Sequence, residues 1–524
     1  MKRILLAITA LVIIHTAQAQ HEGHTHEHKK ETKKKTTTKK PAKTTEQKTA
    51  PAQKPATAAP AHDDHAGHQH GTDTVPKKAA APAAADGHAG HDHGTAQQGM
   101  QQHDDHGAHS MSHLFSRNLP MNRNGSGTGW LPDNAPMNGY MFMPQGSKWM
   151  YMLHGNVFLR YNKQDLLEKG SRGDSKFDVP NWAMGMAQRP VGQRGQLAFK
   201  GMVSLDPLFG GDGYPLLFQT GEAYKGKPLI DRQHPHDLFS ELAVGYTHML
   251  SPKSDLFLYV GYPGEPAIGP VAFMHRPSAL QSPDAPLSHH WVDATHITFG
   301  VATLGLRYGD WKVEGSKFTG REPDEHRYNF DKPRFDSWSG RLSFNPSAKW
   351  ALQASHAFIK EPEELHPGEN VNRTTASATF GSRGYGNEFV SITGLWGMNK
   401  TKGHDAEHAA LLEGSWVVRR LGLFSRYEWV QKSAEELGLD GHEYEQYGFD
   451  HDAIFPVHAF TAGANYDLFS IGQTKIAGGG QFSFFAPDDR IAPIYGQNPI
   501  SAQVFLRIYP SVMGQKSGGL SLPY

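Results

Sequence analysis

Residues 410–429 read ALLEGSWVVRRLGLFSRYEW, and the fold turns on them. Ala410, Leu412, Trp416 and Val418 alternate with Glu413, Ser415 and Arg419. After Arg419-Arg420, Leu421, Leu423, Tyr427 and Trp429 alternate with Arg426 and Glu428. Successive strand side chains point to opposite faces, so each run sets an apolar face against one carrying Arg and Glu together. The zigzag recurs where Leu197, Phe199, Val203 and Leu205 alternate with Gln196, Lys200 and Ser204. It recurs again where Val504, Leu506 and Ile508 alternate with Gln503 and Arg507. Candidate strands lie near 148–161, 194–206, 238–249, 253–262, 295–308, 310–319, 336–345, 349–360, 371–381, 387–397, 407–419, 421–432, 457–469, 473–486 and 500–509.

A soluble sandwich would turn its apolar face to a second sheet, and a membrane barrel would turn it to lipid. Four features select the barrel. The strands are too many for an ordinary sandwich. Tight turns join long strands, as across Leu342-Ser343-Phe344-Asn345-Pro346-Ser347-Ala348-Lys349-Trp350. Trp149, Trp311, Trp350, Trp396 and Tyr509 sit near strand ends, where an interfacial girdle belongs. The mixed charges of the polar face suit a wet lumen. The expected fold is all-β: a single antiparallel transmembrane β-barrel of about 14–16 strands over residues 148–510, behind a long disordered N-terminal tail. An even strand number puts both chain ends on the periplasmic side of an outer membrane.

The flanks agree with export. Lys2 and Arg3, the apolar run Ile4–Ile14 and Ala17-Gln18-Ala19 make residues 1–19 a signal peptide. No later stretch approaches the roughly 18 apolar residues of a membrane helix. Lys+Arg and Asp+Glu both number 52, which gives no argument for nucleic acid, and the absence of cysteine removes disulfides and thiolate sites. Residues 114–147 read as an irregular Met/Gly-rich segment, and 511–524 as a C-terminal extension.

Residues 20–113 have almost no large aliphatic side chains and are expected to be disordered. Histidine clusters punctuate them: His21, His24, His26, His28; His62, His65, His68, His70; His88, His91, His93; and His103, His106, His109. Neutral imidazole is a ligand for borderline transition metals, so the tail is expected to hold labile Cu or Zn, weakening below about pH 6. A tail of this length reaches roughly 50 Å in the periplasm, enough to touch the barrel mouth. Eleven of the 16 methionines fall between Met100 and Met202, and thioether tilts the ligand set towards copper.

A second constellation lies in the body. Asp231-Arg232-Gln233-His234-Pro235-His236-Asp237 is followed by Phe273-Met274-His275-Arg276-Pro277, then by Ser288-His289-His290-Trp291-Val292-Asp293-Ala294-Thr295-His296. Residues 263–291 form a Pro/Gly-rich loop longer than packing requires, and such loops are often functional. Folded inward, it would bring His234, His236, His275, His289, His290 and His296 together with Asp237 and Asp293. The plain alternative is a hydrogen-bonded constriction. No G-x-S-x-G, P-loop or H-E-x-x-H is present.

The segments His234-Pro235-His236-Asp237, Gly261-Tyr262-Pro263-Gly264-Glu265-Pro266, Phe273-Met274-His275-Arg276-Pro277-Ser278-Ala279, Ser288-His289-His290-Trp291, Gly320-Arg321-Glu322-Pro323-Asp324-Glu325 and Arg373-Thr374-Thr375-Ala376-Ser377 resemble an uncharacterised bacterial outer-membrane β-barrel family. That resemblance implies an architecture and no settled ligand. The tail resembles, in composition only, the His/Met-rich leaders of outer-membrane copper-resistance proteins. The expected function is transition-metal binding, transport or tolerance, with outer-membrane lipid, metal ions and a periplasmic metal carrier or efflux component as partners and no tightly bound cofactor. The alternative is a porin-like channel for a small organic solute with the tail as spacer. A lumen enzyme stands third, and would need a Ser or Asp beside a loop histidine. An open lumen favours the channel; one closed by 263–296 with converging imidazoles favours metal.

Overall fold

The computed structural model describes residues 112–384, 388–439, 446–450 and 453–513. The signal peptide, the tail histidines His21 to His109 and the extension beyond residue 513 lie outside the described residues.

Sixteen antiparallel strands close into one barrel. They are Met150–Lys163, Asn181–Val191, Gly195–Val203, Phe239–Ser251, Ser254–Gly261, Val301–Tyr308, Trp311–Phe318, Ser337–Ser347, Trp350–Lys360, Asn370–Arg383, Phe389–Thr401, Ala406–Val418, Leu421–Ser433, Ile454–Ile471, Thr474–Pro487 and Ile500–Pro510. Each pairs with its neighbours in the chain, and Ile500–Pro510 closes on Met150–Lys163. The short strands Tyr140–Phe142 and Ser175–Asp178 complete the two edges of Met150–Lys163. Closure leaves no unpaired sheet edge, which a spanning β-structure requires.

The zigzag falls as the sequence implies. Leu304 is 57% exposed, Leu412 57% and Val504 62%, while their chain neighbours Thr303, Glu413 and Gln503 are at most 4% exposed and face inward. A continuous apolar exterior of this kind belongs in hydrocarbon. Trp311 and Trp350 are exposed beside the short turns, and Trp338 and Trp396 on the exterior nearer the long loops.

One barrel strand has no counterpart among the sequence candidates: Asn181–Val191. Its large side chains, Trp182, Met184, Met186 and Gln188, face inward, and its outward set is Ala183, Gly185 and Ala187. The usual sign of a lipid-facing strand is therefore absent there, and Pro190 masks it further.

The lumen is filled. Residues 263–300 fold into the barrel and are buried almost throughout. Their backbone bonds to the wall: Ala267 N–H donates to Ser316 Oγ at 2.7 Å and Gly269 N–H to Ser355 Oγ at 2.8 Å. Across the lumen, Asp284 accepts from Gln481 at 2.7 Å and Gln503 at 2.6 Å, and pairs with Arg160. The central clamp is Arg276. It is wholly buried and bound to Glu413 of the wall at 2.8 Å and to Asp293 of its own loop at 2.6 Å. Residues 112–139 fill the turn end: Arg341 of the wall donates to Thr128 Oγ1 at 2.9 Å, and Asn345 to the Leu131 carbonyl at 2.9 Å. A hairpin, Tyr214–Tyr224 with Lys227–Gln233, lies outside the barrel sheet and buries Leu216, Leu217 and Phe218.

Candidate metal centre in the barrel lumen

Pro235 follows the last residue pair of the hairpin, and a proline cannot continue a ladder. The ladder ends at Gln233, and the rings of His234 and His236, two residues apart just beyond it, have centroids 6.3 Å apart. The second pair comes from a single helical turn, His289–Val292, seated on the wall. His289 and Asp293 are four residues apart and therefore neighbours on that turn. His296 follows on the next turn, Ala294–His296.

These elements bring four imidazoles into a ring. Going round it, the centroid spacings are 5.4 Å (His236–His296), 5.1 Å (His296–His289), 5.8 Å (His289–His234) and 6.3 Å (His234–His236). His290 flanks the ring, 5.3 Å from His289 and 5.5 Å from His234. His275 stands to one side, 5.5 Å from His154 and 4.6 Å from Trp182.

Three ring members are hydrogen-bonded through Nδ1, and the fourth, His234, sets Nδ1 against a carboxylate without hydrogen-bond geometry. Nδ1 of His234 lies 2.5 Å from Oε1 of Glu222, Nδ1 of His236 2.9 Å from Oδ2 of Asp206, and Nδ1 of His289 2.5 Å from Oδ1 of Asp293. Nδ1 of His296 lies 2.8 Å from the Asp293 carbonyl. The Nε2 atoms of all four are buried with no hydrogen-bond partner. A carboxylate or carbonyl on one nitrogen with the other left over is how proteins orient histidines that ligate metal.

Electrostatics disfavours the charged form of His290, His296, His275 and His234. Burial pushes His290 well below the usual imidazole range, with His289 and His234 adding to the effect. Burial does the same for His296 and His275. Burial also lowers His234, against the opposing pull of Glu222. Burial alone would raise the Asp293 carboxyl, but His289 and Arg276 hold it well below the usual carboxylate range. Neutral imidazole beside ionised carboxylate is the protonation state that metal binding needs.

The ring is wider than an occupied site. With a metal–nitrogen bond of about 2.0–2.1 Å, tetrahedral ligation would place adjacent ring centroids about 5.2 Å apart. The 5.1 and 5.4 Å spacings match; the other two exceed it by roughly half to one ångström. Among the described residues, the group whose three ligand atoms all lie within 4.8 Å of one another is His366, Glu369 and Glu435 on the long-loop side; the ring histidines stand farther apart than that. Beside the ring, a cavity of about 50 Å³ is bounded by His234, His236, Phe273, Met274 and Trp182, with room for a water or an exchanging ligand.

Of the residues singled out in the sequence, His234, His236, His289, His290 and His296 come together. His275 lies apart from the ring, beside His154. Asp237 is not brought to it: its carboxylate faces Arg327 at 3.5 Å, and burial pushes it up to about 8. Sequence reasoning missed Glu222, Asp206 and His154. Glu222 and Asp206 are single acids in unremarkable strings, recognisable only through the rings they hold. The Asp–His half of a catalytic triad is present, but no hydroxyl meets the four Nε2 atoms.

No known protein family matches the chain, and no curated protein does. Among solved structures the chain is similar to OmpF of Salmonella typhi in complex with daunomycin (10% identity, TM-score 0.43, covering 71% of this chain and 100% of that one). It is also similar to OprB of Pseudomonas putida (9%, 0.43, 69% and 94%) and to an anion-selective porin of Comamonas acidovorans (12%, 0.40, 69% and 99%). Identities and scores this low carry no function across.

Proposed function

We propose that this chain is an outer-membrane barrel that binds a transition-metal ion, Zn or Cu, inside a closed lumen. The observation that carries the reading is the ring of four buried imidazoles whose Nε2 atoms are all unpartnered, three of them hydrogen-bonded through Nδ1 and the fourth, His234, with Nδ1 against the Glu222 carboxylate. The apolar exterior calls for lipid, and the asymmetry of short turns against long loops is that of outer-membrane barrels, whose turns face the periplasm. In this reading the tail gathers ions on the periplasmic side and passes them to the lumen, with a periplasmic carrier or efflux component as its partner.

Metal analysis of the purified full chain, beside a chain lacking residues 20–111 and a full-length His234→Ala/His289→Ala variant, tests it. The expected result is one tightly held Zn(II) or Cu(II) that survives loss of the tail and disappears in the ring variant. Equal metal content in the ring variant and the wild type would refute the lumenal site.

A second reading rests on a different observation. A cleft of about 140 Å³ on the long-loop side is lined by Glu363, Glu364, Glu369, Asp405, Glu407 and Glu435, and Glu222 reaches its floor. Such a vestibule would concentrate any cation, organic ones included. In planar bilayers, passage of organic cations through the wild-type chain would favour that channel; a closed wild type that conducts only after residues 267–296 are deleted would favour the metal site.

A further inference from the structure

The molecule holds a second cluster of ligating side chains, on the turn side of the ring. His154 is on the inner face of Met150–Lys163 and pairs directly with Met184, which in turn pairs with Met202. Directly opposed side chains in an antiparallel ladder have Cβ atoms about 4.5–5.5 Å apart, within reach of a thioether. Met184 and Met202 are almost fully buried and face the lumen. Met274, from the 3₁₀ turn Phe273–His275, joins the same buried cluster, and its neighbour His275 brings its ring within 5.5 Å of His154. The Nε2 of His154 is buried with no hydrogen-bond partner. His154 is thus paired in the ladder with Met184 and close to the His275 ring, and Met184, Met202 and Met274 belong to one buried cluster.

We propose that His154 and His275, with the thioethers of Met184, Met202 and Met274, form a second metal station that takes a soft monovalent ion of the Cu(I) class. The proposal rests on the reading of the ring as a metal site, because the station gains its use by exchanging ions with it. Thioether selects Cu(I) over Zn(II), whereas an all-imidazole set accepts both Zn and Cu. The two sites therefore differ in the ion they prefer. Met274 also borders the cavity beside His234 and His236, which links them.

The test uses the full chain in detergent with Ag(I), a redox-inert stand-in for Cu(I), and X-ray absorption to count sulfur neighbours. The wild type loaded with one equivalent should show silver–sulfur scattering. Met184→Leu/Met202→Leu, a near volume-conserving change, should lose at least half of it, and His154→Gln should weaken Ag(I) binding about tenfold. The His234→Ala/His289→Ala variant should keep the sulfur signal. An unchanged sulfur signal in the leucine variant, or none in the wild type, overturns the station. If the leucine variant fails to fold, unchanged Ag(I) affinity in His154→Gln overturns it alone. Loss of divalent binding in the ring variant with no sulfur signal anywhere would uphold the ring and sink the station; the reverse pattern would sink the ring.

Discussion

Asp293→Asn is the sharpest single perturbation of the proposed centre. The carboxylate of Asp293 does three things: Oδ1 holds Nδ1 of His289 at 2.5 Å, Oδ2 meets Arg276 at 2.6 Å, and the Phe273 N–H donates to Oδ2 at 3.0 Å. Asparagine keeps the volume and removes the charge. Loss of such an outer partner costs about 10–100-fold in metal affinity, which is about 1.4–2.8 kcal/mol at the binding step. Stability falls as well, since Arg276 is fully buried. Breaking a buried pair outright costs about 3–5 kcal/mol, and Arg276 keeps Glu413 at 2.8 Å, so the loss should stay below that range. Asp206→Asn is the matched control: it faces His236 and touches no arginine. Calorimetric titration with Zn(II), run with the ring variant as baseline to subtract the tail, should show both substitutions weakening the lumenal site. Thermal unfolding should fall further for Asp293→Asn. If Asp293→Asn lowers the melting temperature while both substitutions leave affinity within twofold, these carboxylates only anchor the loop, and the reasoning fails.

Acid should release metal in two steps. Free tail histidines lose ligand character near their ordinary value of about 6.5, whereas burial holds His290, His296 and His234 lower, so the lumenal ion should leave at more acid pH; a single release step near pH 6.5 would contradict this. The same depression makes the metal-free fold lose stability as pH falls below about 6.5, because the unfolded chain then binds more protons. Asp237 and Glu265, each raised to about 8 by burial, act with the opposite sign, so melting curves from pH 8 to 4 should show a shallow gain before the histidine-driven loss. Gly221→Ala should lower both stability, by about 1–3 kcal/mol, and metal affinity, since Gly221 has φ +130° and its added Cβ would collide with the His290 ring; urea melts and titration read the two. Arg276→Met should cost about 3–5 kcal/mol, because it leaves the buried carboxylates of Glu413 and Asp293 short of a partner; a urea melt indistinguishable from that of the wild type would refute the clamp.

The barrel was legible because lipid makes a simple demand. Leu256, Leu258, Leu304 and Leu306 had to be outward-facing at period two, and they are. The strand Asn181–Val191 was illegible for the same reason in reverse: its lipid face is Ala and Gly, and its bulk points in. The ring was half legible. His-x-His and His-His strings announce ligands, but nothing in a string says which acid will stand behind each ring. Asp237, next in sequence to His236, was the natural expectation; the fold gives it to Arg327 and brings Asp206 from thirty residues away instead. Adjacent residues point in different directions once the chain leaves regular structure, so proximity in sequence ceases to predict proximity in space.

The closed lumen decides how the two functional readings relate. The loop is not a flap lying over the mouth. Arg276 fixes its middle, and Asp284 is tied to three strands by Arg160, Gln481 and Gln503. Moving it would strip several buried charges of their partners together, at several kcal/mol each. A solute the size of a sugar would need that rearrangement for every passage. A metal ion needs only ligand exchange between neighbouring side chains, and Glu222, beside His234 of the ring, also lines the long-loop cleft. The metal reading proposed above therefore has an energetic argument behind it that does not depend on which metal is bound.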